Sequence, residues 1–361
     1  MSKLKVGILG ATGMVGQRFV TLLADHPFFE IVAVAASPRS AGKTYREAVG
    51  GRWSQTSIAI PSHVADLIVL NANEIETISG QVDFVCCALD MEKEEIHALE
   101  EAYARAETPV ISNNSAHRWT PDVPMFIPEI NPEHVEIIPA QRKRLGTQNG
   151  FIAVKPNCSI QPYVPAFHAL AKFAPTKASV CTFQAISGAG KTFETFPEII
   201  DNVIPFIGGE EEKSINEPLK IWGKIVKSEI VPTRSPVISA QCIRVPVTDG
   251  HLAAVSVSFV TKPSADEVLD CWRTFQGDPR GTGLPSSPTP FLTYFTEEDR
   301  PQTRLDRDAG NGMGISLGRL RDDNVFDYRF IALSHNTVRG AAGGAVLMAE
   351  LLHREGYLMQ K

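Results

Sequence analysis

Short apolar runs alternate with helix-length amphipathic segments over the first 110 residues. Residues 5–9 and 30–36 read as strands, with a helical pattern at 15–24 between them. Further strands read at 67–70, 84–88 and 109–112, and a charged helix at 91–106 separates the last two. These strands are apolar throughout instead of alternating, as strands buried on both faces are. Strand–helix alternation with such strands predicts a parallel, Rossmann-like doubly wound sheet.

The texture changes after Pro156. Segments 179–186, 241–246 and 253–260 are longer, β-branched and partly alternating, with Val255, Val257 and Phe259 set against Ser256 and Ser258. That pattern predicts a second, α+β domain built on a mainly antiparallel sheet covered on one face. Residues 276–290 are so rich in Gly, Pro and Ser that they read as a surface loop, and 340–356 read as a helix carrying Val346, Leu347, Ala349, Leu351 and Leu352. No internal repeat or low-complexity tract interrupts the chain.

Composition narrows the class. At 361 residues, 43% hydrophobic and 21% charged, the chain reads as a soluble globular protein of two domains. Thirty-five basic against 41 acidic residues give −6, which supplies no general attraction to nucleic acid or anionic membranes. Six cysteines, irregularly spaced and without a CxxC pair, predict reduced thiols, no zinc site and a cytoplasmic location. The opening Met1, Ser2, Lys3, Leu4, Lys5 runs straight into a strand pattern and shows no export signal, and apolar runs of about six residues fall short of the ~20 that a spanning helix needs.

Candidate chemistry begins directly after the first strand. Gly10, Thr12, Gly13, Met14, Val15 and Gly16 form a glycine loop that opens a helix. Glycines there permit a tight turn and close approach of backbone N–H groups to a pyrophosphate, and the helix N-terminus favours the anion. The spacing is GxxGxxG, so a plain strand-to-helix turn is the competing reading. About twenty residues on, where NAD-binding chains place an acid for the ribose 2′-hydroxyl, stand Ser37, Pro38, Arg39 and Ser40. A guanidinium and two hydroxyls suit a 2′-phosphate, which predicts NADP(H); a solvated turn is the bland alternative.

The second informative stretch holds Lys155, Pro156, Asn157, Cys158, Ser159 and Gln161. A cysteine just ahead of a helical pattern gains thiolate stabilisation from the helix N-terminus, and Asn157 offers a side-chain donor for an oxyanion. Most cysteines are inert packing, and the other five here lie in apolar strand or helix contexts. Ser187, Gly188, Ala189, Gly190 and Lys191 look like part of a phosphate loop, but Ala185 stands where GxxxxGK[ST] requires Gly. A turn approached by cofactor is the better reading.

Five motifs in one order, GATGMVG at 10–16, PNCSIQ at 156–161, FQAISGAG at 183–190, RVPVTDGH at 244–251 and HNTVRGAAGGAV at 335–346, resemble aspartate-β-semialdehyde dehydrogenase in its archaeal and fungal branch, over essentially the whole chain. The resemblance implies reversible, NADP-dependent reductive dephosphorylation of 4-phospho-L-aspartate to L-aspartate 4-semialdehyde through a cysteine acyl-thioester. That reaction belongs to the biosynthesis of lysine, methionine, threonine and isoleucine. It assigns Cys158 as nucleophile, His251 as general acid/base and Gln184 as the residue orienting the acyl group. Arg244 would hold the α-carboxylate. A glutamate of the run Glu210, Glu211, Glu212 would hold the α-ammonium, Glu211 first and Glu210 second. Lys213, Arg118 and Asn114 would complete the substrate site, and Cys87, Ser187, Gly188 and Asn336 would join the cofactor contacts. It also implies a cofactor domain of 1–155 with 336–361, a catalytic and dimerisation domain of 156–335, and a homodimer or homotetramer.

A paralogous acyl-phosphate or acyl-CoA reductase, acting on N-acetyl-glutamyl phosphate or malonyl-CoA, would use the same nucleophile and base. A non-catalytic NADP(H) sensor is the reading from another class. A free α-amino group on the substrate calls for a carboxylate, which an N-acylated substrate does not.

Overall fold

The computed structural model describes residues 2–55 and 58–361; Met1, at the head of the segment read for an export signal, lies outside them. Strands β1 (Leu4–Leu9), β2 (Phe29–Ala36), β3 (Val69–Asn71), β4 (Phe84–Cys87), β5 (Val110–Ser112) and β6 (Ile152–Val154) form one sheet in the order β3-β2-β1-β4-β5-β6. Every pairing in it is parallel. Helix α1 (Met14–Leu23) connects β1 to β2, and α2 (Lys93–Arg105) connects β4 to β5. Parallel neighbours require such crossovers, and helices on both faces bury the strands, which explains their unbroken apolar runs.

The second sheet runs β10-β7-β11-β14-β13-β12, from β7 (Pro175–Gln184), β10 (Val237–Arg244), β11 (His251–Phe259), β12 (Leu292–Phe295), β13 (Ile315–Asp322) and β14 (Tyr328–Ser334). A small hairpin, β8 (Lys224–Val226) with β9 (Glu229–Val231), stands apart. The sheet is mainly antiparallel, as expected, with a parallel pair at each edge: β10 pairs with β7 and β12 with β13 in parallel, and the three central pairings are antiparallel. Alternation reports which face is buried but not which way a strand runs. Both parallel pairs are joined by long connections, one of them carrying helix α3 (Glu210–Ile221).

One face of this sheet supplies Ala178, Val180, Val255 and Phe330 to a core that continues through Tyr163 and Phe167 to Val85 of the first sheet and Tyr103 of α2. Helix α4 (Ala265–Thr274) closes it with the buried Trp272. On the other side of the first sheet, the C-terminal helix α5 (Gly343–Arg354) packs Val346, Leu347 and Leu351 against Phe19 and Val20 of α1 and Val6 and Ile8 of β1. The segment 276–290 is irregular, as its glycines and prolines require. It is strapped down, however: Leu284 is buried, and Ser286 donates through its backbone to Glu350 of α5 at 3.0 Å. A Cβ on Gly281 would lie 2.1 Å from the Pro128 carbonyl.

Among the described residues no helix is long and apolar enough to cross a membrane, and no group of three or more His, Cys, Asp and Glu is placed to hold a metal. All six cysteines are unpaired.

Candidate active site

Two features stand at the carboxyl edge of the first sheet. The first is a cavity of about 560 Å³ at the carboxyl ends of β1 to β4, where strand order reverses about β1. Gly10 turns with φ +83°, and a Cβ there would strike the Ala88 carbonyl at 2.3 Å; one on Gly16 would strike the Gly10 carbonyl at 2.1 Å. Only glycines allow this turn and this approach of helix to strand. Gly13 caps α1 with no side-chain hydrogen bond, leaving helix N–H groups for an anion. Ser37, Arg39 and Ser40 line the far end, joined by Lys43 and Arg52. Two serine hydroxyls and three cations in one cavity with an uncapped helix fit a dinucleotide with an added phosphate.

The second feature is a polar cluster around Cys158, which sits in a single 3-10 turn, Cys158–Ile160, after β6. Its Sγ lies 3.4 Å from Nε2 of His251, the fully buried first residue of β11. The His251 Nδ1 accepts the Ala185 backbone N–H at 3.1 Å, so the neutral ring carries its proton on Nε2, facing the sulfur. Burial, and then the Arg244 guanidinium, pull His251 down to about 3. Burial, with Glu210, pushes the thiol up to about 11, against the pull of Lys155, Arg118 and Arg244. The resting pair is therefore a neutral thiol and a neutral imidazole. A Cβ on Gly188 would come within 3.0 Å of the His251 ring and 3.2 Å of Arg244, so that glycine leaves room for both.

Helix α3 presents a buried polar face to this cluster, at the three- and four-residue spacing that aligns side chains on one side. Glu210 accepts from Asn157 Nδ2 at 3.0 Å, Gln184 Nε2 at 3.2 Å and Lys213 Nζ at 2.9 Å. Burial alone would raise its carboxyl, but Lys213 and these amides bring it below the usual range. One turn on, Ser214 shares a hydrogen bond with Ser159 at 3.1 Å. Glu217, fully buried, accepts from Arg118 Nη1 at 2.9 Å and from the Asn157 backbone N–H at 2.6 Å. Lys220 then donates to the carbonyls of Arg118, Thr120 and Val123. Arg244, at the end of β10, spends one N–H on the Ala185 carbonyl at 2.7 Å.

Comparison with known proteins gives this arrangement a family. A model of the semialdehyde dehydrogenase NAD binding domain matches residues 5–138, and one of the semialdehyde dehydrogenase dimerisation domain matches 165–339. An aspartate-semialdehyde dehydrogenase of Aspergillus fumigatus is 43% identical over 365 residues, covering 99% of each chain. The chain belongs to the aspartate-semialdehyde dehydrogenase family. The Archaeoglobus fulgidus member is 42% identical over 97% of this chain and 98% of its own, so similarity extends to both fungi and archaea. A Candida albicans aspartate semialdehyde dehydrogenase, solved with NADP, superposes with a TM-score of 0.88 at 37% identity, over 99% of this chain and all of its own.

Within this family frame the residues singled out from sequence fall into place unevenly. Cys158, His251, Gln184, Glu210, Lys213 and Arg244 converge. Glu211 and Glu212 are exposed, so the carboxylate facing the cluster is Glu210, the second choice. Asn157 gives one amide N–H to Glu210 and accepts the Ser159 N–H at its Oδ1, and so braces the loop with one amide N–H left over. The expected helix N-terminus at Cys158 is only that short turn, followed by the five-residue helix Val164–His168; charged side chains take over the electrostatic role. Arg118 spends three of its five N–H donors on Glu217, the Lys155 carbonyl and the Asn113 carbonyl. Asn114 turns away, toward Cys87 Sγ and Glu100, while the amide nitrogen of Asn113 is buried without a partner.

On the cofactor side, Gly10, Thr12 and Gly13 line the cavity, and Met14, Val15 and Gly16 continue into α1. Cys87 is wholly buried, and Ala88 and Leu89 form that wall. Asn336 braces two loops, donating to Ser187 Oγ and accepting from the Gly250 N–H, both at 2.8 Å. Lys43, Arg52 and Glu217 escaped the sequence reading, and Lys155 and Asn113 took no role in it; only the basic character of the first two, close to Arg39, could have signalled them.

Proposed function

We propose that the protein converts 4-phospho-L-aspartate to L-aspartate 4-semialdehyde, phosphate and NADP⁺, reversibly, through an acyl-thioester on Cys158. The observation that carries this reading is the Cys158–His251 contact at 3.4 Å, set among Arg244, Glu210 and Lys213. The Cys158 sulfur attacks the acyl carbon, forming C–S as the bond to phosphate breaks. Bound NADPH supplies the hydride. His251, with its Nε2 proton aimed into the site, donates to the developing oxygen and recovers that proton as the thiohemiacetal collapses to aldehyde and expels the sulfur. Arg244 pairs with the α-carboxylate through its free N–H groups, and Glu210 with the α-ammonium. Lys213 and Arg118 bias the site toward phosphate, and Gln184 orients the acyl group.

The cofactor is NADP(H), with Arg39, Lys43 and Arg52 about its 2′-phosphate and Gly13 at the pyrophosphate. The cofactor domain spans 1–155 with 336–361, and the catalytic domain 156–335. The outer face of the second sheet, with Phe183, Leu252 and Ile331 half-buried and Val237 exposed, is the homodimer surface. The neighbouring segment carries the exposed Val203 and Phe206. The protein works in the cytoplasm.

Phosphate-dependent reduction of NADP⁺, with NAD⁺ in parallel, by L-aspartate 4-semialdehyde tests the reaction. Turnover of N-acetyl-glutamate semialdehyde or malonyl-CoA in its place would move the protein to a paralogous activity.

A further inference from the structure

The chemistry above leaves one buried charged group without a task. Lys155 is 3% exposed, and its Nζ makes a single hydrogen bond, to the Pro156 carbonyl at 2.8 Å. Among the described residues no carboxylate pairs with it. The other cations that face it are matched, Arg118 with Glu217 at 2.9 Å and Arg339 with Glu129 at 2.5 Å. A lone ammonium in such a place is strongly disfavoured unless an anion forms beside it.

The candidate anion is three residues away. Cys158 and Lys155 both lie against the glycine-rich segment that leads into α5. A Cβ on Gly340 would come within 2.8 Å of Cys158 Cβ, and one on Gly344 within 2.7 Å of Lys155 Cε. The missing side chains make the space that these two residues fill. The charged groups facing Lys155 are Cys158, Arg118, Arg339 and Glu217; burial draws the amine down to about 7, and Cys158 is its strongest opposing influence.

We propose that Lys155 is a positioning residue for the nucleophile, its ammonium group supplying the counter-charge that a buried Cys158 thiolate requires. Between the two end states one S–H bond is lost and one N–H bond is gained at Nζ. The pair passes from thiol and amine to thiolate and ammonium with no change in net charge. His251, whose only N–H already faces the sulfur and whose Nδ1 is held by Ala185, is then free to serve the substrate oxygen.

This rests on Cys158 being the nucleophile, and the two claims separate experimentally. Loss of turnover in Cys158→Ser supports the nucleophile; retained turnover removes it and this proposal with it. For Lys155 the probe is iodoacetamide, with alkylation of Cys158 in the full-length protein followed by peptide mass across about pH 6 to 10. Lys155→Met removes the charge at nearly constant volume. Its alkylation at neutral pH is expected to fall about tenfold, with the rise in rate displaced upward by about one pH unit. A folded Lys155→Met with unchanged NADP⁺ affinity and an unshifted profile overturns the proposal.

Linkage gives a second reading on the native lysine, should the variant fail to fold. The Lys155 Nζ resonance, followed by nitrogen NMR, is expected to titrate lower in Cys158→Ser than in the unsubstituted protein, because the ammonium has lost its anion. Identical titrations in the two proteins overturn the proposal equally.

Discussion

Glu217 offers the sharpest test of how the site is held. Its carboxylate lies in the interior, and both oxygens are engaged by donors, one by the Arg118 guanidinium at 2.9 Å and the other by the Asn157 N–H at 2.6 Å. Glu217→Gln preserves the shape but leaves one acceptor oxygen for two donors. The new NH₂ must face either the guanidinium or the N–H, and Arg118 loses its counter-charge. Breaking a buried pair from one side costs ~3–5 kcal/mol. The one hydrogen bond that survives returns ~1 kcal/mol, leaving a loss of about 2–4 kcal/mol. Urea denaturation followed by tryptophan fluorescence reads it, since Trp222 caps α3. Because the Asn157 N–H adjoins Cys158, kcat is expected to fall at least about tenfold while NADP⁺ binding is unchanged. A stability loss under about 0.5 kcal/mol, within the range of an ordinary surface substitution, would refute the reasoning.

Other perturbations separate neighbouring residues. Arg39→Ala is expected to raise KM for NADP⁺ about tenfold or more, the worth of a charged hydrogen bond, with weak NAD⁺ turnover unaffected; equal losses with both cofactors would detach Arg39 from the 2′-phosphate. Glu210→Gln is expected to lower kcat/KM for the amino-aldehyde about 10- to 100-fold and Glu211→Gln to leave it unchanged, with steady-state kinetics showing the reverse order if the assignment is wrong. Buried histidines set the acid response: His117 and His335 are drawn down to about 4 and His251 to about 3, burial leading in each case. Below the unfolded value near 6.5 the unfolded chain binds more protons, so stability falls as pH drops from about 6.5 toward 4. Denaturation midpoints at about pH 7 and pH 5 check this, and equal values would contradict it.

How much of this was legible in the chain depended on whether a feature is local. The glycine loop, the buried parallel strands and the terminal helix are patterns within a dozen residues, and the sequence carries them openly. Strand direction in the second sheet is not local, because alternation in β7 and β10 is the same whichever way they pair. Cys158 and His251 stand 93 positions apart, and only the ordered motifs joined them. Among Glu210, Glu211 and Glu212 each helical step rotates the side chain by about 100°, so a run of three cannot show which one faces inward. The adjacent Asn113 and Asn114 pose the same problem after β5. Lys155 was visible as a residue, but its burial and lack of a carboxylate depend on α3 and the segment before α5.

The acyl-enzyme itself is the most direct measurement. Rapid mixing of the protein with L-aspartate 4-semialdehyde and NADP⁺, phosphate withheld, is expected to give a burst of NADPH stoichiometric with active sites and a matching mass addition on the Cys158 peptide. Phosphate should release both into steady turnover. A missing burst, or one that persists in Cys158→Ser, would contradict thioester chemistry at this cysteine.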